Sequence, residues 1–131
     1  MSLDVAVRTP ILVIEDEPSV LSFVKAALER SGYAVTTVAT GAEALTMLKN
    51  ESYLGVVSDM RTPGGVDGAD VHAWISSNKP ELAFRVIFIT GDIVSEETAA
   101  TLRRTGAPCV EKPFRVQHLI ETVKKVFGNA K

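Results

Sequence analysis

Three acidic residues in a row, Glu15, Asp16 and Glu17, follow the apolar run ILVI and precede a proline in the stretch ILVIEDEPSV. A fourth acid, Asp59, ends another apolar run in LGVVSDM. Thr90 and Lys112 close two more, in FRVIFIT and PCVEK. Crowded carboxylates repel one another and are tolerable only with a cation, a trapped proton or abundant water. An all-oxygen donor set suits Mg²⁺, which takes near-octahedral ligation at about 2.1 Å from carboxylates, carbonyls and waters. Add a nucleophilic carboxylate, a hydroxyl and an ammonium, and the set can handle a phosphoryl group. The carboxylate attacks phosphorus while metal and ammonium neutralise the equatorial oxygens.

Those residues must be brought together by the chain between them. Five apolar runs recur, at 11–14, 33–38, 54–58, 84–90 and 108–111. Helical patterns separate them. Pro18 suits a first helical turn, and Val20, Leu21, Val24, Ala27 and Leu28 share one face behind it. Thr40 stands three residues before Glu43, the spacing of a capping box, with Leu45 and Leu48 following. Asp67 can cap a helix burying Val71 and Ile75, and Ser95 another whose first turn carries Glu96 and Glu97. Val116, Leu119, Ile120, Val123 and Phe127 form the last apolar stripe.

Strand and helix therefore alternate five times, which predicts an α/β fold: a doubly wound, flavodoxin-like parallel sheet with helices on both faces and right-handed crossovers. The common strand order for five strands is 2-1-3-4-5, and ligands bind beyond the carboxyl ends of the strands, between the first and third. Glu15 and Asp16 end the first strand and Asp59 the third, so with strands about 4.8 Å apart their carboxylates share one small volume. Thr90 lies one strand further on. Lys112 lies two strands, roughly 10 Å, from Asp59, a span only a long side chain crosses. Glu17 is expected to point elsewhere and help start the first helix.

Composition bounds the alternatives. The 131 residues, 46% apolar and 23% charged with a net charge of −2, fit one domain, expected over 1–131 with its core at about 10–127 and short tails. No basic face for nucleic acid is expected. No apolar run reaches the roughly 20 residues of a membrane span. The single Cys109 cannot form an internal disulfide, which favours a cytoplasmic setting. A flavin- or nucleotide-binding enzyme would need a glycine-rich phosphate loop after the first strand, where EDEP would repel a phosphate.

The motifs ILVIEDEP, VVSDMRTPGGVDG, VIFITGD and CVEKPF stand in an order that resembles the receiver domain of two-component response regulators. The likeness spans residues 10–127. It implies that Asp59 is the phosphoacceptor, Asp16 a direct Mg²⁺ ligand, Glu15 a ligand through water, and the Arg61 carbonyl the last protein ligand. Thr90 would be the switch hydroxyl and Lys112 the phosphoryl contact. It further implies phosphate taken from the phosphohistidine of a histidine kinase or its phosphotransfer domain, self-catalysed dephosphorylation, and signalling through the fourth helix, fifth strand and fifth helix. That face could also form a weak homodimer. A cis peptide between Lys112 and Pro113 is implied as well. TGAPCVEKPF is similar to receivers attached to hybrid histidine kinases, with a free-standing regulator as the other option. The competing reading is a degenerate receiver that only binds a protein, although such domains typically lose the acceptor or the lysine.

Three departures from the family pattern stand out. Glu15 occupies a position more often Asp. One extra residue lies between Pro63 and Asp67, in a loop carrying Gly64 and Gly65. Cys109 stands where an aromatic usually couples to the switch hydroxyl, so the usual aromatic rotamer cannot operate, whereas Gly91 keeps access to the acceptor open. Cys109 itself reads as a semi-buried strand thiol, His72 and His118 as surface histidines, Trp74 as partly covered, and Phe114 as packed at the base of the last helix.

Overall fold

The computed structural model describes residues 9–62, 64–91 and 95–128. Most of both tails, together with Pro63 and Asp92, lies outside the described residues. Strands β1 (Ile11–Ile14), β2 (Val35–Val38), β3 (Gly55–Asp59), β4 (Val86–Thr90) and β5 (Cys109–Glu111) alternate with helices α1 (Pro18–Arg30), α2 (Gly41–Asn50), α3 (Gly68–Asn78), α4 (Glu96–Thr105) and α5 (Val116–Phe127). All pairings are parallel, and the order is β2-β1-β3-β4-β5, as expected from the alternation.

The helices start where local chemistry dictates. Pro18 sits in the first turn of α1. Thr40 and Glu43 form the capping box of α2, and Asp67 and Asp70 form that of α3. Ser95 accepts a hydrogen bond from the Thr98 N–H and caps α4.

Successive strand residues point to opposite faces, which divides the core in two. Ile11, Val13, Val57, Ile87, Ile89 and Val110 pack under α1 and α5, against Val24, Leu28, Leu119, Val123 and Phe127. Leu12, Ile14, Val56, Val86 and Phe88 pack under α2 and α3, against Ala44, Leu48, Val71 and Ile75. Both faces of β1, β3 and β4 are covered, so these strands read as unbroken apolar runs. Phe127 presses so closely on β3 that a Cβ on Gly55 would lie 2.6 Å from its ring.

Three local expectations need correction. Phe84 and Arg85 are not strand residues: Leu82–Phe84 form a 3-10 turn ahead of β4, and the Phe84 ring is 82% exposed. Val116 heads the apolar stripe of α5 but is exposed rather than buried. His72 is buried, not a surface residue, with its ring centroid 6.1 Å from that of Phe88. His118 is exposed, Trp74 partly covered, and Phe114 packs beside Phe23 with ring centroids 5.8 Å apart.

Candidate functional site

The site is assembled where the strands end. Glu15 follows β1 directly, and its N–H donates to the Val38 carbonyl, continuing the ladder with β2 by one residue. Its side chain is therefore directed as a strand residue and is 1% exposed. Asp16 comes next and is exposed. Asp59 is the last residue of β3. Beyond it the Met60 N–H donates to the Ile89 carbonyl and the Gly68 N–H to the Met60 carbonyl, which folds the start of α3 back onto the strand end. A Cβ on Gly68 would lie 2.7 Å from the Asp59 carbonyl oxygen, so only glycine permits that approach.

Thr90, buried, ends β4 opposite Glu111. The Lys112 N–H donates to the Thr90 carbonyl at 2.8 Å, and the Lys112–Pro113 peptide is cis, as the resemblance implied. The lysine then reaches across two strands. Its Nζ lies 3.1 Å from Glu15 Oε1, 3.4 Å from Asp59 Oδ2 and 3.4 Å from Glu17 Oε1.

Carboxylate oxygens of Glu15, Asp16 and Asp59 all lie within 4.8 Å of one another. Three acids thus surround one ammonium, and Asp16 stands beside two of them. Burial lifts the Glu15 carboxyl above its ordinary range, and the nearby Asp59 adds to this. The Glu17 N–H, which donates to Glu15 Oε2 at 3.1 Å, and Lys112 pull the other way without reversing it. Burial alone would lower the Lys112 pKa, but hydrogen bonding and charge from Glu15 and Asp59 outweigh it and raise it. The ammonium is held charged at neutral pH, the form that can neutralise an oxyanion.

The sequence placed Glu15, Asp16, Asp59, Thr90 and Lys112 at this strand edge, and all five stand there. Glu17 is the correction. Its carboxylate forms no cap hydrogen bond and faces Lys112 instead. Its signal was present, an acid one residue beyond the pair on the same side of the sheet. The Arg61 guanidinium reaches the start of α4, with Nη2 3.4 Å from Ser95 Oγ and 3.9 Å from Glu97. The longer loop after Asp59 bends at Gly64 and Gly65, with φ of 90° and 83°, and the Thr62 hydroxyl donates to the Val66 carbonyl. Cys109 is a half-buried thiol whose pKa is pushed up by burial and by Glu111.

Residues 11–124 match the response regulator receiver domain family. The chain belongs to that family. The receiver resembles the response regulator SaeR of Staphylococcus aureus, at 27% identity over 123 residues, 94% of this chain and 52% of SaeR. It spans about half the length of the curated relatives it matches. Among solved structures, the NtrX receiver domain of Brucella abortus shares 30% identity with a TM-score of 0.79, covering 89% of this chain and 97% of that one. The signal receiver domain of a signal transduction histidine kinase from Syntrophus aciditrophicus shares 27% with a TM-score of 0.80, covering 91% and 89%. The protein is a receiver domain of a two-component system, and its acidic pocket is consistent with Mg²⁺ and with aspartate phosphorylation.

Proposed function

We propose that Asp59 accepts a phosphoryl group from the phosphohistidine of a histidine kinase or its phosphotransfer domain. The observation that carries this is Lys112 Nζ poised 3.4 Å from Asp59 Oδ2 and 3.1 Å from Glu15 Oε1, beside the exposed Asp16. An Asp59 oxygen attacks phosphorus, an O–P bond forms, the N–P bond breaks, and the electron pair leaves on the histidine nitrogen. Lys112 neutralises charge on one phosphoryl oxygen, and the Thr90 hydroxyl donates to another.

The donor set fits Mg²⁺. It is all oxygen, it clusters within 4.8 Å, and its excess negative charge calls for a cation. Asp16, Asp59 and the Arg61 carbonyl would hold the metal, with Glu15 acting through water. When bound, it supplies charge neutralisation and orientation at the phosphoryl oxygens. Autodephosphorylation is attack by water at phosphorus, which breaks the bond from phosphorus to the Asp59 oxygen, releases inorganic phosphate and restores the Asp59 carboxylate. Gly91, the residue after β4, leaves the water a path.

The donor's docking surface adjoins the site. Val20, Phe23, Pro113 and Phe114 line an apolar groove of about 570 Å³ that opens onto Lys112 and Glu17. Phe23 is 43% exposed there. A helix of the kinase or phosphotransfer domain laid in this groove would bring its histidine to Asp59.

On this reading residues 1–131 are one cytoplasmic receiver, non-enzymatic beyond its own phosphorylation chemistry, without direct nucleic-acid or membrane contact. Among the described residues no helix is long and apolar enough to cross a membrane. A weak homodimer would use α4, β5 and α5, where Val116 is exposed. A purely protein-binding receiver is disfavoured because acceptor, lysine, hydroxyl and acidic pair are all present. The test is incubation with acetyl phosphate and Mg²⁺ followed by intact mass. One added phosphoryl group, absent when EDTA replaces Mg²⁺, supports the reading; an unmodified mass in Mg²⁺ overturns it.

A further inference from the structure

We propose that the groove between α3, the Leu82–Phe84 turn and the end of α4 binds a small aromatic carboxylate, separately from the phosphorylation site. The groove measures about 530 Å³, within the ~300–1,000 Å³ typical of small-molecule sites. It shares no lining residue with the acidic pocket.

At this groove α4 contributes Arg104 and Thr105 and no apolar side chain. The buried residues of α4 are Thr98 and Thr101, with Leu102 partly buried against the core. One wall is Phe84, at 82% the most exposed large hydrophobic among the described residues. An uncovered phenyl beside a cavity is a surface for an apolar ring. Ala73, Pro80 and Ala83 continue the apolar wall. Arg104 is the only full charge among the described lining residues, and no ion pair joins it to a carboxylate there. Apolar walls with one unneutralised guanidinium are complementary to an apolar anion, and the guanidinium fork matches a carboxylate.

His72 senses the charge of Arg104 from the same groove. It is 7% exposed and lines the groove. Its Nδ1 lies 3.3 Å from Ser76 Oγ, and its Nε2 is enclosed, with the Ala83 backbone raising the ring's pKa. Burial and, next, the Arg104 charge hold the imidazole below its ordinary pKa. A carboxylate seated on Arg104 would cancel the second cause, so His72 is a built-in reporter of occupancy.

The probe is 3-phenylpropionate, titrated at pH 7 into ¹⁵N- and aromatic ¹³C-labelled protein. Saturable shifts of the His72 and Phe84 rings, and a rise of the His72 pKa at saturation, are expected. The amide 3-phenylpropanamide, or wild-type ligand with Arg104→Gln, should bind about tenfold more weakly, the loss of one charge-assisted contact. Phe84→Ser, which changes an exposed residue, should weaken binding without altering the rest of the spectrum. Asp59→Asn should bind as wild type does, so this outcome is independent of phosphoacceptance. Overturning results are no saturable shift, shifts centred on Phe23 and Phe114, equal binding of 2-phenylethylamine, or an affinity indifferent to Arg104→Gln. Dimerisation on binding, read by sedimentation, would also overturn it in favour of a second copy as occupant.

Discussion

Replacing Lys112 with Met removes the ammonium and leaves Glu15 buried without its counter-ion. Breaking a buried pair by deleting one partner costs about 3–5 kcal/mol. The lysine is partly solvated, its side chain 20% exposed, so about 2–3 kcal/mol is the figure to expect. Glu15 can escape most of that penalty by taking up a proton, at about 1.36 kcal/mol per pH unit above its folded pKa. The folded-state pKa of Glu15 is already raised, and it rises further when Lys112 is lost. A carboxyl with a raised folded pKa binds more protons folded than unfolded, so stability falls as pH rises from the unfolded value of about 4.5 to the folded one. The deficit of Lys112→Met relative to wild type should thus be small at pH 5. It should grow over about two pH units and reach about 2–3 kcal/mol by pH 7.5. Urea unfolding without divalent ions at both pH values measures it. The added substitution Glu15→Gln should abolish the pH dependence of the deficit. A deficit that is equal at pH 5 and 7.5, or untouched by Glu15→Gln, would refute the reasoning.

Asp16→Asn should weaken Mg²⁺ binding and abolish phosphorylation from a small donor, while the metal-free protein gains a few tenths of a kcal/mol or more from reduced repulsion, ~0.2–1 kcal/mol by urea unfolding. Normal phosphorylation of that variant would remove Asp16 from the metal site. Phe23→Ser should slow phosphotransfer from a kinase or phosphotransfer domain yet leave acetyl phosphate labelling unchanged; equal loss with both donors would count against the groove as a docking surface. Cys109 is too small to fill space vacated by Thr90, so beryllofluoride should shift NMR resonances at residues 90–104 and 109–120 modestly, and Cys109→Tyr should enlarge the response. Shifts confined to the loops around Asp16 and Asp59 in both proteins would reject that route.

Most of the fold and the site's membership were legible because each rests on a strong regularity. Apolar runs such as ILVI and VIFI have both faces covered, and parallel topology sends every strand's carboxyl end to one edge. Glu15, Asp16, Asp59, Thr90 and Lys112 had to meet there. What periodicity could not show was direction and coverage. Glu17 follows the acid pair at a helix start, and only the backbone turn decides that it faces Lys112 rather than an N–H of α1. His72 lies off the Val71–Ile75 line, yet Phe88 and the turn at Ala83 widen the covered side of α3 enough to bury it. Phe84 looks like the start of a strand in FRVIFIT, but the chain is still in its 3-10 turn, and Arg85 spends its Nε–H on the Leu54 carbonyl at 2.7 Å.

The central claim is that Asp59 forms an acyl phosphate. Labelling with acetyl phosphate and Mg²⁺, quenching with borohydride and mapping the peptides tests it most directly, because borohydride converts an aspartyl phosphate to homoserine. The account predicts homoserine at position 59 alone, in wild type but not in Asp59→Asn. Homoserine at Asp16 or at any other aspartate, or its retention elsewhere in Asp59→Asn at the wild-type level, would contradict it.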